Sequence, residues 1–213
     1  LRSTLTGHES WVNSVSISKD GKTIVSGGFR TITVWDLENR AEIRTLTGHN
    51  NFIYSVSISN DGKTIVSGSK DNTIKVWNLE TGELIHTLTG HEREVNSVSI
   101  NKDSSIIFSG SGDNTIKVWN LENGELRSTL IVSGEPLEAV TSVSNHFNTI
   151  VSGSDDGTIK IWNMATGDEI STLTGHKNWV NSVSISNDGK TIVSGSGDNT
   201  IKVWNLEAGA EIR

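Results

Sequence analysis

Serine, histidine and aspartate, the side chains of nucleophilic catalysis, are all present in this chain, and their spacing decides what they could do. One group of them could supply a nucleophile and a general base. Four of the six histidines follow a glycine, at His8, His49, His91 and His176, and serines and aspartates recur with them. A single active site needs catalytic residues that do not recur in every copy of a repeated pattern. The pattern therefore argues against catalysis and favours a structural role.

Metal and cofactor chemistry is equally poorly supported. The two remaining histidines are His86, which we expect on the rim of the repeat, and His146, which we expect in a turn. The histidines lack metal-ligand spacing, the chain contains no cysteine, and no glycine-rich phosphate loop is present. We expect no metal site, no cofactor and no enzyme activity.

The charge and hydropathy of the chain restrict its partners. With 25 acidic and 18 basic side chains the net charge is -7, which repels phosphate backbones and anionic lipids. No apolar stretch approaches the roughly 20 residues of a membrane span. We therefore expect neither nucleic acid nor a membrane as a partner. The lack of cysteine leaves the compartment open, and we favour a soluble, cytoplasmic protein.

A repeated unit sets the organisation of the chain. Its markers are five tryptophans separated by 42, 42, 43 and 42 residues: Trp35, Trp77, Trp119, Trp162 and Trp204. The segment Asn-Thr-Ile-Lys-Val-Trp-Asn-Leu-Glu also occurs unchanged at 72–80, 114–122 and 199–207. A fixed period of this length is typical of repeat architectures.

Each unit has the pattern of short strands. Apolar and polar residues alternate with period two over 12–17, and Asp-Gly turns follow at Asp20 and Asp61. The chain has one proline, Pro136, and no window with helical periodicity. We predict an all-β protein with four antiparallel strands in each unit, which is the pattern of a β-propeller blade.

The Gly-His dipeptides, each followed in the same unit by a Trp-Asp or Trp-Asn pair, resemble the WD40-repeat family along the whole chain. The resemblance implies one domain over 1–213, a β-propeller of five four-stranded antiparallel blades. We expect blade units at about 5–45, 46–87, 88–129, 130–172 and 173–213, with strand 1–5 completing the last blade.

The resemblance also implies a hydrogen-bonded set in each regular blade, made of the Gly-His histidine, a strand serine, a turn aspartate and the tryptophan. The choice of serine within Ser-Gly-Ser stays open. Carried over residue by residue, the sets are His49, Ser67, Asp71 and Trp77; His91, Ser109, Asp113 and Trp119; and His176, Ser194, Asp198 and Trp204. We interpret these as structural residues, because a half-buried imidazole, hydroxyl and indole each need a hydrogen-bond partner.

Two units depart from the pattern. In blade 1 the loop at 26–31 is one residue shorter and lacks the aspartate, so His8 loses its acidic partner. Blade 4 has no Gly-His dipeptide and carries a longer segment at 131–139, which leaves Asp156 without the expected histidine. Its turn at 145–148 is shorter. We interpret blade 4 as drifted in its packing, with a functional loop as the sharper alternative.

The candidate binding residues lie on the loops that the family resemblance assigns to the top face of the disc. If the ring closes, blades 5, 1 and 2 are neighbours and their rings form one arc. The set is Trp11, Phe29, Arg30, Phe52, Tyr54 and Trp179. Exposed aromatic residues and arginine are typical binding anchors. The alternative is that these rings cap the core where the first strand of each blade begins.

Ring closure follows from the period of the repeat. Joining Glu211 to Leu1 continues the repeat across the two ends, so we favour a monomeric closed ring. The same ends could pair between chains, because an open arc has unprotected edges. WD40 rings more usually have seven blades, so a strand-swapped oligomer stays an alternative.

Three functional classes follow from these observations. The resemblance implies a non-enzymatic scaffold that presents its top-face loops to a peptide or protein. The near-identical copies favour a second class, a purely structural, engineered or recently amplified repeat array that has no specific ligand and could self-assemble. An enzyme using the propeller centre ranks third, because the inward-facing candidates are uniform and do not titrate: Asn13, Asn96, Thr141 and Asn181.

Overall fold

A computed structural model describes residues 4–132, 140–146, 148–186 and 188–212. These residues form an all-β structure in which each repeat unit is a four-stranded antiparallel sheet, or blade. None of the described residues belongs to a helix that could cross a membrane. The predicted fold class is confirmed for the blades.

Blades 1 and 2 are joined by one long strand that leaves the first sheet and enters the second. Blade 1 consists of β1 (Ser14–Ile17), β2 (Thr23–Gly27), β3 (Phe29–Asp36) and the first part of β4 (Ala41–Ile58). Blade 2 consists of the last part of β4, β5 (Thr64–Ser69), β6 (Ile74–Asn78) and β7 (Leu84–Leu88).

The other three blades are separate sheets with the same strand order. Blade 3 consists of β8 (Val95–Ile100), β9 (Ile106–Ser111), β10 (Thr115–Asn120) and β11 (Leu126–Ile131). Blade 4 consists of β12 (Val140–His146), β13 (Thr149–Ser154), β14 (Ile159–Asn163) and β15 (Glu169–Leu173). Blade 5 consists of β16 (Val180–Ile185), β17 (Thr191–Ser196), β18 (Ile201–Asn205) and β19 (Ala210–Glu211).

The turn between the first two strands of a blade is built by local hydrogen bonds. In blade 2, Asp61 Oδ1 accepts hydrogen bonds from Ser59 Oγ at 2.5 Å and from the Lys63 amide at 3.1 Å. Gly62 has a φ of 71°, a left-handed conformation that costs glycine little. This is the physical reason why the Asp-Gly dipeptide predicted the hairpin.

The core lies between blades. We call the side of a blade that faces the preceding blade its front face, and the side that faces the next blade its rear face. Between blades 1 and 2, the rear-face residues Val25 and Ile32 pack against the front-face residues Ile53, Val56 and Trp77, all of them buried. Equivalent clusters join blades 2 and 3, 3 and 4, and 4 and 5. Each blade is therefore stabilised mainly by its neighbours.

Serines on the innermost strands add polar links between blades. The Val56 amide of blade 2 donates to Ser14 Oγ of blade 1 at 3.1 Å, and the Val98 amide of blade 3 donates to Ser55 Oγ of blade 2 at 3.1 Å. The period-two serines of the repeat thus bind the backbone of the following blade.

Closure of the ring by the N-terminal strand is not confirmed and stays a prediction. The outer strand of blade 5 is β19, whose Glu211 and Ala210 pair with Trp204 and Asn205 of β18. The described residues before β1, from position 4 onward, belong to no strand, and positions 1–3 lie outside the described residues. Most of the predicted blade 4 insertion, at 133–139, lies outside them as well.

Candidate functional site

The predicted set of blade 2 is brought together as one hydrogen-bonded chain. His49 lies with Nδ1 2.8 Å from Asp71 Oδ2 and with Nε2 2.8 Å from Ser67 Oγ. The Trp77 indole N–H donates to the same Ser67 oxygen at 3.0 Å. His49 and Ser67 are buried. Of the two serines in Ser-Gly-Ser, the first is the one that joins this chain.

The direction of these hydrogen bonds follows from the charge on Asp71. Burial alone would raise the pKa of Asp71, but hydrogen bonds from His49, Thr73 and the Asn50 amide outweigh it and hold the pKa well below its usual range. The ionised carboxylate can only accept, so the His49 Nδ1–H donates to it. In the neutral ring Nε2 then accepts from the Ser67 hydroxyl, which in turn accepts from Trp77.

Blades 3 and 5 repeat this geometry. His91 lies 2.8 Å from Asp113 and 2.7 Å from Ser109, and the Trp119 indole donates to Ser109 at 2.9 Å. The corresponding distances in blade 5 join His176 to Asp198 at 2.9 Å, His176 to Ser194 at 2.7 Å, and Trp204 to Ser194 at 2.9 Å.

These sets have the residue types of a serine hydrolase triad, but their serines are poorly placed as nucleophiles. Ser67 and Ser109 have no exposed surface, so a substrate carbonyl has no route to either hydroxyl. Each serine oxygen also accepts an indole hydrogen bond, which occupies a lone pair that attack would need. The arrangement satisfies buried polar groups within each blade.

The irregular blades keep part of the set. In blade 1, His8 Nε2 lies 2.6 Å from Ser26 Oγ, and the Trp35 indole donates to Ser26 at 2.7 Å. Burial lowers the pKa of His8, with Glu42 opposing the shift. In blade 4 the Trp162 indole donates to Ser152 at 2.9 Å.

Asp156 of blade 4 forms hydrogen bonds within its own turn. Its carboxylate accepts hydrogen bonds from the amide and the hydroxyl of Thr158, both at 2.7 Å. His146 ends strand β12 and does not lie in a turn, so that expectation was wrong. His86 lies on the outer strand β7, where its Nε2 is 2.8 Å from the Glu122 carbonyl oxygen. Among the described residues, no group of three histidine or acidic side chains is arranged to hold a metal ion.

Four of the candidate binding residues form one group, which we call the aromatic cluster: the exposed Trp11, Phe29 and Arg30 and the half-buried Phe52. The Trp11 and Phe52 rings are stacked, with centroids 6.3 Å apart, and Phe29 lies 4.9 Å from Phe52. The Arg30 guanidinium lies over Phe29, 4.9 Å from the ring centroid. Trp11 is 77 % exposed and Phe29 is 42 % exposed.

Arg30 is held in an unusual backbone conformation. Its φ is 65°, and the equivalent position in blades 2, 3 and 5 is an asparagine with a φ of 65° to 67°. Asparagine enters this left-handed region more readily than arginine does. Arg30 Nε also donates to the Asn50 carbonyl at 3.0 Å. The shortened loop therefore fixes an arginine where the other blades have a neutral turn residue.

Two residues that the sequence analysis did not single out support this group. Asn50 supplies the carbonyl that orients Arg30. Gly28 replaces the serine of the other loops, and a Cβ at this position would lie 2.9 Å from the Trp11 carbonyl oxygen. The one-residue deletion in the loop was the available signal for both, because it changes which backbone groups meet.

Trp179 and Tyr54 are not part of this group. Trp179 is 49 % exposed and packs against Gly197 of its own blade. No ring contact between Trp179 and the aromatic cluster occurs in the described part of the chain. Tyr54 lies half-buried on the inner part of β4. The rings predicted to form one arc are therefore separated: the aromatic cluster lies on blades 1 and 2, and Trp179 lies on blade 5.

Comparison with known families accounts for the repeated architecture. The pattern of the WD domain, G-beta repeat, matches the chain five times, at residues 1–36, 40–78, 82–120, 126–163 and 167–205. No curated protein matches the chain in a sequence search. Together these five matches span nearly all of the sequence and each contains one of the blade tryptophans. The chain belongs to the WD40-repeat family.

Proposed function

We propose that this protein is a non-enzymatic scaffold that binds a peptide or protein segment through the aromatic cluster on its top-face loops. WD40 repeats generally mediate protein–protein interactions, and WD40 propellers are typically non-enzymatic scaffolds. The observation that carries the proposal is the exposed Trp11 ring stacked on the half-buried Phe52 ring, beside an arginine fixed in a left-handed conformation.

The energetics of exposed rings support a binding role. A large apolar ring left in water contributes little to folding, whereas covering it with a partner removes apolar surface from water. Tryptophan and arginine are enriched among residues that dominate binding energy. Trp11 has most of its surface available for such contact.

The chemistry of the cluster defines the segment that would fit it. The three rings offer a surface for an aliphatic or aromatic side chain. Arg30 sits at the edge of this surface with one guanidinium nitrogen already used by Asn50, and its other N–H groups suit a carboxylate. We therefore propose an apolar residue next to an acidic residue as the core of the bound segment.

Affinity measurements on single variants test this proposal. Peptides selected from a random displayed library against the intact protein would be titrated into wild type, Trp11→Ala and Phe52→Ala by calorimetry. We expect each substitution to weaken binding by about thirtyfold, the effect of losing a binding anchor worth about 2 kcal/mol. Arg30→Ala should weaken acidic peptides more than neutral ones.

The matched control is Ile170→Ala, which removes another exposed apolar side chain, on the outer strand of blade 4. This variant should bind as wild type does. Equal affinity for wild type and Trp11→Ala would overturn the proposal. A library that yields no binder to wild type would also contradict it and would favour the structural array without a ligand.

Stability separates binding from packing at Trp11. Because the ring is mostly exposed, we expect Trp11→Ala to change the free energy of unfolding by less than about 1 kcal/mol in urea denaturation. A loss of several kcal/mol, as in core truncations, would show that the ring caps the core.

A further inference from the structure

The two ends of the row of blades expose faces that are buried everywhere else. On the front face of blade 1, Val15 is 66 % exposed, whereas its equivalents Val56 and Val98 are 5 % exposed. On the rear face of blade 5, Ile201 is 75 % exposed, whereas its equivalents Ile32 and Ile74 are fully buried. Among the described residues, no apolar cluster joins blade 5 to blade 1.

The four internal interfaces define what fits such a face. At each of them the rear face of one blade receives the front face of the next. A Cβ added to Gly27 or Gly68 would lie within 3 Å of the valine of the following blade, while Gly195 of blade 5 has nothing within 4 Å. The surface at Gly195 is therefore open to packing by the first strand of another blade.

Polar groups at the two ends match in the same way. Ser14 and Ser55 accept hydrogen bonds from amides of the following blade. Ser182 of blade 5 is their equivalent and is exposed to solvent. The amide of Val15 is the equivalent donor at the front of blade 1. The ends are complementary in hydrogen bonding as well as in apolar surface.

The outer strand of blade 5 is shorter than that of blade 2, and the segment before blade 1 has the sequence of an outer strand. In blade 2, Ile74 and Lys75 pair with Leu88 and Thr87 of the outer strand. In blade 5 the short β19 pairs with the end of β18 and leaves its start at Ile201 as an edge in the described structure. The residues before Gly7 match the outer-strand sequence Thr-Leu-Thr-Gly-His of the other blades.

We propose that this chain self-associates head to tail, with the front face of blade 1 of a second copy seated on the rear face of blade 5. Both faces are exposed at once in the described structure, so each is open to a second copy. A head-to-tail contact is heterologous, and it either closes a ring of several copies or continues as an open filament. In this contact Trp179 of one copy would lie beside Trp11 of the next copy, as Trp11 lies beside Phe52 within one chain. The row of aromatic rings would then continue from one copy to the next.

Sedimentation of charge variants tests the contact. Wild type should show a mass that rises with concentration above the 23.0 kDa of one chain. Val15→Glu places a charge on the front face of blade 1, and Ile201→Glu places one on the rear face of blade 5. Each substitution should weaken self-association at least about a hundredfold, because the contact would bury an unpaired charge. An equimolar mixture of the two variants retains one good face on each partner and should form a dimer that grows no further.

The control Ile170→Glu places the same charge on an exposed outer strand and should associate as wild type does. Both variants are expected to fold, because the substituted side chains are exposed, and circular dichroism checks this. A wild type that stays monomeric at all concentrations would overturn the proposal and favour closure within one chain. Association that survives both substitutions would also contradict it.

A disulfide reports the same contact by geometry, because the chain contains no cysteine of its own. At the internal interfaces a Cβ on Gly27 lies 3.4 Å from Ile53 Cβ, and one on Gly68 lies 3.3 Å from Val95 Cβ, close to the spacing of a disulfide. The equivalent pair across two copies is Gly195→Cys on one and Val12→Cys on the other. The mixed variants should oxidise to a covalent dimer, and failure to cross-link would oppose the proposed contact.

Discussion

Phe108→Ala is expected to lower the free energy of unfolding by about 3–5 kcal/mol, the usual cost of removing a buried phenylalanine ring. Phe108 has no exposed surface and lies in the cluster that joins blades 3 and 4, with Ile150 and Trp162 on the other side. Its equivalents in the other blades are valines. The large ring therefore fills the space between blade 3 and the irregular blade 4.

Urea denaturation followed by tryptophan fluorescence measures this loss. The matched control is Phe29→Ala, which deletes the same ring from an exposed position and should cost less than about 1 kcal/mol. Equal losses for the two variants would mean that the core does not lie between blades as described.

Asp113→Asn is expected to destabilise the protein at neutral pH by about 1–3 kcal/mol, because it removes the charge from a hydrogen-bonded buried set. Burial would raise the pKa of Asp113, but hydrogen bonds from His91, Thr115 and the Glu92 amide outweigh it and lower the pKa. A carboxyl group with a lowered pKa in the folded state stabilises that state when ionised.

The sign of the pH dependence follows from this lowered pKa. The stabilising contribution of Asp113 is fully present above about pH 5, beyond the unfolded pKa of about 3.9, and is lost as the pH falls toward the folded value. The stability difference between wild type and Asp113→Asn should therefore shrink between about pH 5 and pH 2. Asp103→Asn, in an exposed turn, is the control and should change the free energy of unfolding little at neutral pH. A difference that grows in acid would contradict the assigned charge.

The repeat made most of the blade structure predictable. Strand alternation and Asp-Gly turns are local signals, so each repeat carries enough information for its own four strands. The partners of His49 were predicted from the resemblance to the WD40-repeat family, whereas the choice of Ser67 over Ser69 needed the structure. Residues that repeat must meet in the same way each time.

The arrangement of blades could not be predicted in the same way. The period across Glu211 and Leu1 shows only that the joined ends have the length of one repeat. Closure of the ring depends instead on the angle between blades, and that angle is set by side-chain packing at each interface. For this reason Trp11 and Trp179 share a position in their repeats but do not meet within the described chain. The left-handed conformation of Arg30 is shared by the equivalent asparagines, but its hydrogen bond to the Asn50 carbonyl depends on how the shortened loop meets the next blade.

Fluorine NMR of protein labelled with fluorotryptophan tests the binding role most directly. The chain has seven tryptophans, of which five are buried in the blades and two, Trp11 and Trp179, are exposed. Trp11→Phe assigns the Trp11 resonance. On addition of a selected peptide, we expect the Trp11 resonance to shift or broaden strongly while the five buried resonances stay in place. A bound peptide that leaves Trp11 unchanged would contradict the proposed site.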